Sequence, residues 1–317
     1  MIEVKHLTKC YGSHKAVSDL SFSIEKGQIY GFLGPNGAGK STTMNIITGC
    51  LAATSGQVLI DGFDIFEEPR QAKAKIGYLP ELPPLYPDRT VREYLTFVAR
   101  AKGIPEREIG KQIAHVLDVT QTTDVAQRLI RNLSKGYRQR IGIAQAILGD
   151  PEVIILDEPT VGLDPRQITE IRELIRTLGE NHTVILSSHI LSEVQAVCQT
   201  ILILSKGKLV ACDTAKNLEK RFAGDHRLEL TVEATADQSR SILEALPQIQ
   251  EVAVQKEESG CCQLVAAFSG QERQASRAVF HAMSHANLPI LRMTASQASL
   301  EAVFLELTRE QEQEGSL

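Results

Sequence analysis

The stretch Ile29–Thr48 constrains this chain more than any other. It reads Ile-Tyr-Gly-Phe-Leu, then Gly34-Pro35-Asn36-Gly37-Ala38-Gly39-Lys40-Ser41-Thr42, then Thr-Met-Asn-Ile-Ile-Thr. The apolar run predicts a buried strand. From Thr42 onward the pattern is helical, with Met44, Ile47, Thr48 and Leu51 on one face and Gly49 as a stop. Between them lies G-x-x-x-x-G-K-S, the P-loop pattern. Average composition produces that pattern by chance in roughly one chain of this length per hundred, and the flanking strand and helix make it rarer still. A dinucleotide loop is excluded, because G-x-G-x-x-G counted from Gly37 needs glycine where Thr42 stands.

The chemistry explains the layout. Phosphate oxygens need several donors converging on one point, and consecutive backbone N–H groups of a glycine-rich loop supply them. Gly34, Gly37 and Gly39 permit left-handed or close-approach conformations that a side chain blocks. A helix N-terminus adds free N–H groups and partial positive charge. Lys40 is placed to reach the β- and γ-phosphates, and the Ser41 hydroxyl to ligate Mg²⁺.

Before the loop, β-type runs at Ile2–Leu7 and Ala16–Ile24 flank a turn at Tyr11-Gly12. After it, residues 56–62 and 76–80 read as strands, followed by a loop holding Pro80, Pro83, Pro84 and Pro87. Thr90-Val-Arg-Glu93 is a capping-box pattern. It opens a helical region over 90–131, whose first helix shows Val91, Tyr94, Leu95 and Val98 on one face. Ser134 then caps a further helix faced by Ile141, Ala144 and Leu148. Arg138 and Arg140 stand at its start, where the dipole disfavours cations, so an anion is expected close by.

Val153–Leu156 is a β-branched run of the kind found in central parallel strands, and it ends in Asp157-Glu158. Acids at that end of a buried strand sit where α/β sheets place ligands. Asp157 fits the Mg²⁺ role that a P-loop protein requires. Glu158, unneeded for the metal, is placed to activate the attacking water. Asp164 and Pro165 open a helix as N-cap and first residue, with Ile168, Ile171, Ile175 and Leu178 as its buried stripe. Thr183–Ser188 is the next strand, and His189 follows at its carboxyl end.

In this order the elements resemble the nucleotide-binding subunit of an ABC transporter over about residues 1–222. The resemblance implies a P-loop NTPase α/β fold with an N-terminal antiparallel β subdomain and a helical insertion at about 90–131. It also implies ATP and Mg²⁺ as ligands and a head-to-tail homodimer, or pairing with another ATP-binding subunit. Tyr11 would stack on adenine, residues 34–42 would hold the phosphates, and Ser134 and Gly136 would bind the γ-phosphate across the dimer. Glu158 would be the general base, His189 would hold the γ-phosphate or water, and Asp164 would couple the two sites. The 90–131 region would receive a coupling helix from a separate membrane permease, placing the subunit on the cytoplasmic face of the cell membrane.

Two departures from the family pattern stand out. The usual signature is LSGGQ, whereas this chain has Leu-Ser-Lys-Gly-Tyr, with Lys135 and Tyr137 at the altered positions. A glutamine usually follows the strand at 76–80, and Glu81 takes its place here. Its oxygen still suits Mg²⁺, but the residue has no amide donors and carries an extra charge. Both departures resemble the ABC-2-type exporter branch, which serves drug, ion and polysaccharide export and gliding motility.

The remaining sequence reads as a second, smaller unit. Residues 223–225 serve as a linker, and 226–308 give strand, helix, two strands, helix and strand, the β-α-β-β-α-β order of a ferredoxin-like α+β domain. A final helix is expected at 299–307 and a disordered tail at 309–317. Dimer contact or regulation is the role this domain suggests. A net charge of −5 gives no reason to expect nucleic acid as a partner. Six cysteines without CxxC spacing fit a reduced compartment, and Cys261-Cys262 reads as two faces of one strand. No run nears the ~20 apolar residues of a membrane span, and the N-terminus has no signal-peptide core. Two alternatives to a transport ATPase stay open at this point. One is an ATP-gated module acting on translation or DNA, and the other is a nucleotide-binding regulator with little turnover.

Overall fold

The computed structural model describes residues 2–222, 226–258, 260–296 and 304. The chain divides into two compact units, the first running to Thr214 and the second starting at Ala215.

In the first unit, β1 (Ile2–Tyr11) and β2 (His14–Ile24) form an antiparallel ribbon, and β3 (Ile29–Leu33) leads through the glycine loop into α1 (Lys40–Ile47). Next come β4 (Ser55–Ile60), β5 (Phe63–Asp64), α2 (Pro69–Ala74) and β6 (Ile76–Leu79). Three helices follow, α3 (Val91–Ala101), α4 (Glu106–Val119) and α5 (Lys135–Ile147). The unit closes with β7 (Val153–Asp157), α6 (Pro165–Gly179), β8 (Thr183–Ser188), α7 (Leu191–Val197), β9 (Thr200–Ser205) and β10 (Lys208–Asp213).

One sheet has the order β2-β1-β4-β5 and is antiparallel throughout. The other runs β10-β9-β3-β8-β7-β6, parallel except for β10 at its edge. Strands β3, β7 and β8 are buried along their whole length, as expected of parallel strands covered on both faces. The two sheets share one core. Leu7, Val17 and Leu20 pack with Phe32, Met44 and Ile46, and Phe22 meets Phe32 edge-on at 5.3 Å between ring centres.

Helix α1 begins at Lys40, two residues before the expected start, because Gly39 adopts φ 98° and turns the chain directly into helical geometry. The capping box forms as the sequence implies: Thr90 accepts from Glu93 N–H at 3.2 Å, and Glu93 accepts from Thr90 N–H at 2.9 Å. On α3 the buried stripe is Val91, Tyr94, Leu95 and Ala99, with Ala99 taking the place expected for Val98. On α6, Ile168 is half-buried and Leu174 joins Ile171, Ile175 and Leu178 inside. Helices α2 and α7 and the short strand β5 had no counterpart in the sequence reading.

The second unit holds α8 (Ala215–Phe222), β11 (His226–Val232), α9 (Ala236–Glu244), β12 (Ile249–Glu258), β13 (Cys261–Phe268), α10 (Glu272–His285) and β14 (Ile290–Ser296). From β11 onward this is the β-α-β-β-α-β order, and the antiparallel sheet order β12-β13-β11-β14 completes the ferredoxin-like fold. Its core gathers Leu228, Leu230 and Leu264 from the sheet with Leu243, Val279 and Met283 from the helices. Cys261 is half-buried and Cys262 fully buried, as alternating faces of one strand require. The expected linker at 223–225 and tail at 309–317 lie outside the described residues, as does the expected helix at 299–307 apart from Phe304.

Candidate active site

Register in the parallel sheet brings three strand ends level. Leu33 stands beside Ser188, and Asp157 beside Ser187. The glycine loop, the two acids and His189 therefore leave the sheet at one edge, the carboxyl edge where open α/β sheets bind ligands. A cleft of ≈ 450 Å³ lies there, lined by Tyr11, residues 36–42, Glu81, Glu158 and His189. Gly34 and Pro35 join through their carbonyls, which accept from Lys40 Nζ at 2.8 and 3.3 Å.

The loop's glycines have separate tasks. A β-carbon on Gly34 would collide with the Leu204 carbonyl oxygen, so that position is dictated by packing against β9. Gly39 combines its left-handed φ with a space only 2.5 Å from the Ala16 carbonyl oxygen to a would-be β-carbon. Gly37, at φ 81°, is open on all sides and is left free to face a ligand. No side chain caps α1, so its first-turn N–H groups point into the cleft as anion donors.

Lys40, Asp157 and Glu158 are buried, whereas Glu81 is exposed. Burial lowers the pKa of Lys40, while the carboxylates of Glu158, Asp157 and Glu81 pull it the other way. Its ammonium lies 3.8 Å from Glu158 Oε1. Burial raises the pKa of Glu158, and the hydrogen bond from His189 opposes the rise. His189 Nδ1 sits 3.1 and 3.0 Å from the two Glu158 oxygens. Asp157 is 2% exposed and accepts from Ser41 Oγ at 3.3 Å and from Ser187 Oγ.

The Ser41 hydroxyl and Asp157 carboxylate are hard oxygen donors on one side of the cleft. Mg²⁺ takes one or two protein oxygens of this kind and completes its shell with waters and substrate phosphate. The residues present therefore fit the metal. No cluster of three His, Cys, Asp or Glu side chains suited to a metal occurs among the described residues.

Several neighbours had no reading from the sequence. Ser187 holds Asp157 with its hydroxyl and also accepts from Glu158 N–H at 3.0 Å. Glu158 itself takes φ 49°, a left-handed conformation rare for a side chain of its size. Behind the cleft, Glu193 Oε2 accepts from Thr160 Oγ1 at 2.5 Å and from Ser188 Oγ at 2.9 Å. A pair of serines ending an apolar strand was the only sequence signal for this network. Glu193, in the first turn of α7, gave none.

Ser134 and Gly136 do not join the cleft. They border a separate hollow with Gln121, Tyr137, Arg140, Gln167 and Glu170. Ser134 caps α5, accepting from Tyr137 N–H at 3.4 Å, and Asp164 caps α6, accepting from Gln167 N–H at 2.9 Å. Beside Arg140 the expected anion is a carboxylate of the protein's own, whereas Arg138 meets a backbone carbonyl. Arg140 pairs with Glu170 at 2.5 Å, and Arg138 donates to the Leu133 carbonyl at 3.0 Å.

A P-loop following one strand of a parallel sheet, two acids ending the strand next but one to it and a helical insertion between them in sequence define an ABC-type ATPase. The ABC transporter family model matches residues 17–161. The chain is 34% identical to the linearmycin resistance ATP-binding protein LnrL of Bacillus subtilis (strain 168) over 309 residues, 97% of this chain and 98% of that protein. It is 41% identical to the bacitracin transport ATP-binding protein BcrA of Bacillus licheniformis over 70% of this chain and 72% of that protein. A dimeric post-hydrolysis ATP-binding cassette, MJ0796 bound to ADP and Pi, superposes with a TM-score of 0.62 at 27% identity, over 68% of this chain and 98% of that one. The chain belongs to the ABC transporter ATP-binding proteins. It is an ATP-binding, ATP-hydrolysing subunit that powers export.

Proposed function

We propose that the cleft hydrolyses ATP by in-line attack of water on the γ-phosphate, with Glu158 as general base. The observation that carries this reading is the placement of Glu158 between Lys40 and His189, within reach of each, beside the glycine loop. Lys40 binds the β- and γ-phosphates once its ammonium leaves the Gly34 and Pro35 carbonyls. Burial gives Glu158 the higher basicity that proton abstraction needs. His189 orients that carboxylate through Nδ1 and faces the γ-phosphate or the attacking water. Tyr11, half exposed at the cleft's rim, stacks on the adenine. Ser41 and Asp157 would hold Mg²⁺, with Glu81 close by, and the ion would supply charge neutralisation at the phosphates.

Ser134 and Gly136 complete the site from a second copy of the chain, since their own hollow lies apart from the cleft. The partner we assign is an ABC-2-type permease at the cytoplasmic face of the membrane, docking on the 90–131 region. The cargo we assign is an antimicrobial compound, the class named for the linearmycin, bacitracin and lantibiotic relatives. Residues 226–308 act as an accessory domain for dimer contact or regulation.

Glu158→Gln tests the chemistry. The variant should bind ATP, accumulate an ATP-bound dimer in size-exclusion chromatography and release phosphate about 10²- to 10⁴-fold more slowly. Release at the wild-type rate would overturn the assignment of the base.

A further inference from the structure

The loop that leaves Glu158 is folded back on itself in consecutive turns. Val161 N–H donates to the Glu158 carbonyl at 3.2 Å, and Leu163 N–H to the Thr160 carbonyl at 3.2 Å. Gly162 stands in this loop with φ 68°. A β-carbon added there would collide with Lys135 Nζ, and it would lie 3.3 Å from Lys135 Cε and 3.7 Å from Cδ. The end of the Lys135 side chain, itself exposed to solvent, therefore occupies the space left by the missing Gly162 side chain. Val161, one residue earlier, lines the nucleotide cleft.

Two further contacts join the same segments. A β-carbon on Gly136 would meet Gln167 Cδ at 2.7 Å, so the start of α5 rests on the first turns of α6. Arg140 reaches Glu170 one turn along from each. Of the three contacts, the one made by Lys135 lies closest in sequence to Glu158. It spans from the first residue of α5 to a point four residues after the carboxylate.

We propose that Lys135 is a positioning residue for ATP hydrolysis. Its side chain clamps the 158–164 loop against the N-terminus of α5, and so fixes the aim of the Glu158 carboxylate whenever Ser134 and Gly136 engage a nucleotide. The proposal rests on the assignment of Glu158 as base. A point-charge contact with phosphate alone would serve nucleotide binding and alter KM. A clamp on the base's loop alters kcat at constant KM.

The test uses the full chain with Mg-ATP and four variants. Lys135→Ala should lower kcat about tenfold, the scale expected for a slightly misaimed catalytic group, with KM within about twofold of wild type. Lys135→Arg, which keeps a long cationic side chain, should recover at least half of the rate. Gly162→Ala, which evicts the ammonium and also strains a backbone at φ 68°, should be at least as slow as Lys135→Ala. The double variant should be no slower than the slower single one, because both remove the same contact. Lys135→Ala with wild-type kcat overturns the proposal, as does a change in KM matching that in kcat, or a double variant whose defects multiply. Glu158→Gln run alongside separates the two failures. If that variant keeps wild-type turnover, the base assignment falls and the clamp with it. If it is inactive while Lys135→Ala is unimpaired, only the clamp falls.

Discussion

Glu193 offers the sharpest test of how the candidate site is held. Its Oε2 atom accepts from both Thr160 Oγ1 at 2.5 Å and Ser188 Oγ at 2.9 Å, and the side chain is 5% exposed. Thr160 stands two residues after Glu158 and Ser188 immediately before His189, so one oxygen ties together the segments that carry both groups. Hydrogen bonds to a charged acceptor contribute about 1.5–3 kcal/mol each, giving roughly 3–6 kcal/mol for the pair. Removing the carboxylate also relieves the cost of its burial, which offsets part of that loss. We expect Glu193→Ala to lose about 3 kcal/mol. That corresponds to a fall of about 6–12 °C in Tm for a unit of this size. Glu193→Gln, with its amide oxygen at the Oε2 position, keeps both bonds at neutral strength and should lose only about 1–2 kcal/mol. Urea midpoints at unchanged m-value read the stability, and phosphate release reads the consequence for Glu158 and His189. Turnover should fall about tenfold in the alanine variant and far less in the glutamine one. Glu193→Ala within about 0.5 kcal/mol of wild type would refute the bridge, since that is the range of neutral surface changes. Equal damage from alanine and glutamine would show that charge, not the shared oxygen, is what matters.

The glycine loop, the pH profile and the α3–α5 junction give three further expectations. Gly39→Ala places a methyl 2.5 Å from the Ala16 carbonyl oxygen at φ 98°, and should weaken ATP binding by more than about tenfold in a nucleotide-fluorescence titration. Glu158 must be ionised to act as base, and burial raises its pKa above the ordinary 4.5, so kcat should fall on acidification through a limb lying above that value. His189→Ala removes a contact that lowers this pKa and should move the limb further up, while Glu158→Gln should abolish it. The linked stability has the opposite sense. The folded state holds this proton more tightly than the unfolded chain, so the group's contribution is present at low pH and lost as pH rises through its folded value. Lys102 Nζ donates to the carbonyls of Gln145, Ala146 and Leu148 at 3.0, 3.0 and 2.6 Å, closing the C-terminal end of α5. Lys102→Ala should cost about 1 kcal/mol, read as a lower urea midpoint.

What was legible in the sequence was local. The glycine loop, the capping box at Thr90, the caps at Ser134 and Asp164 and the acids ending β7 each declare themselves within a few residues. Each is dictated by backbone geometry or by the unpaired groups of a helix end. What was not legible depends on partners far along the chain. Arg140 at a helix N-terminus correctly announced an anion, but the anion is Glu170, thirty residues on, and no periodicity marks that pairing. The contact of His189 with Glu158 spans thirty-one positions. It exists because β7 and β8 are neighbours in register. Helix α7 escaped notice for a different reason. At seven residues, Leu191–Val197 is too short to show a helical period, and it is helical because it packs against β3 and β8.

The proposed base and the proposed phosphate-binding lysine are not independent. Lys40 Nζ donates to the Gly34 and Pro35 carbonyls and lies 3.8 Å from Glu158 Oε1, so its charge is divided between the loop and the carboxylate. A triphosphate entering the loop competes for that ammonium with several oxygens of greater negative charge. As Lys40 turns toward the phosphates, Glu158 loses a cationic neighbour and gains anionic ones, and both changes strengthen it as a base. Its hydrogen bond with His189 then becomes the contact that keeps it ionised and aimed. On this reading a γ-phosphate in the loop raises the basicity of the carboxylate that serves it. The buried position of both groups is what lets so small a displacement of charge matter, since solvent at the cleft floor would screen it.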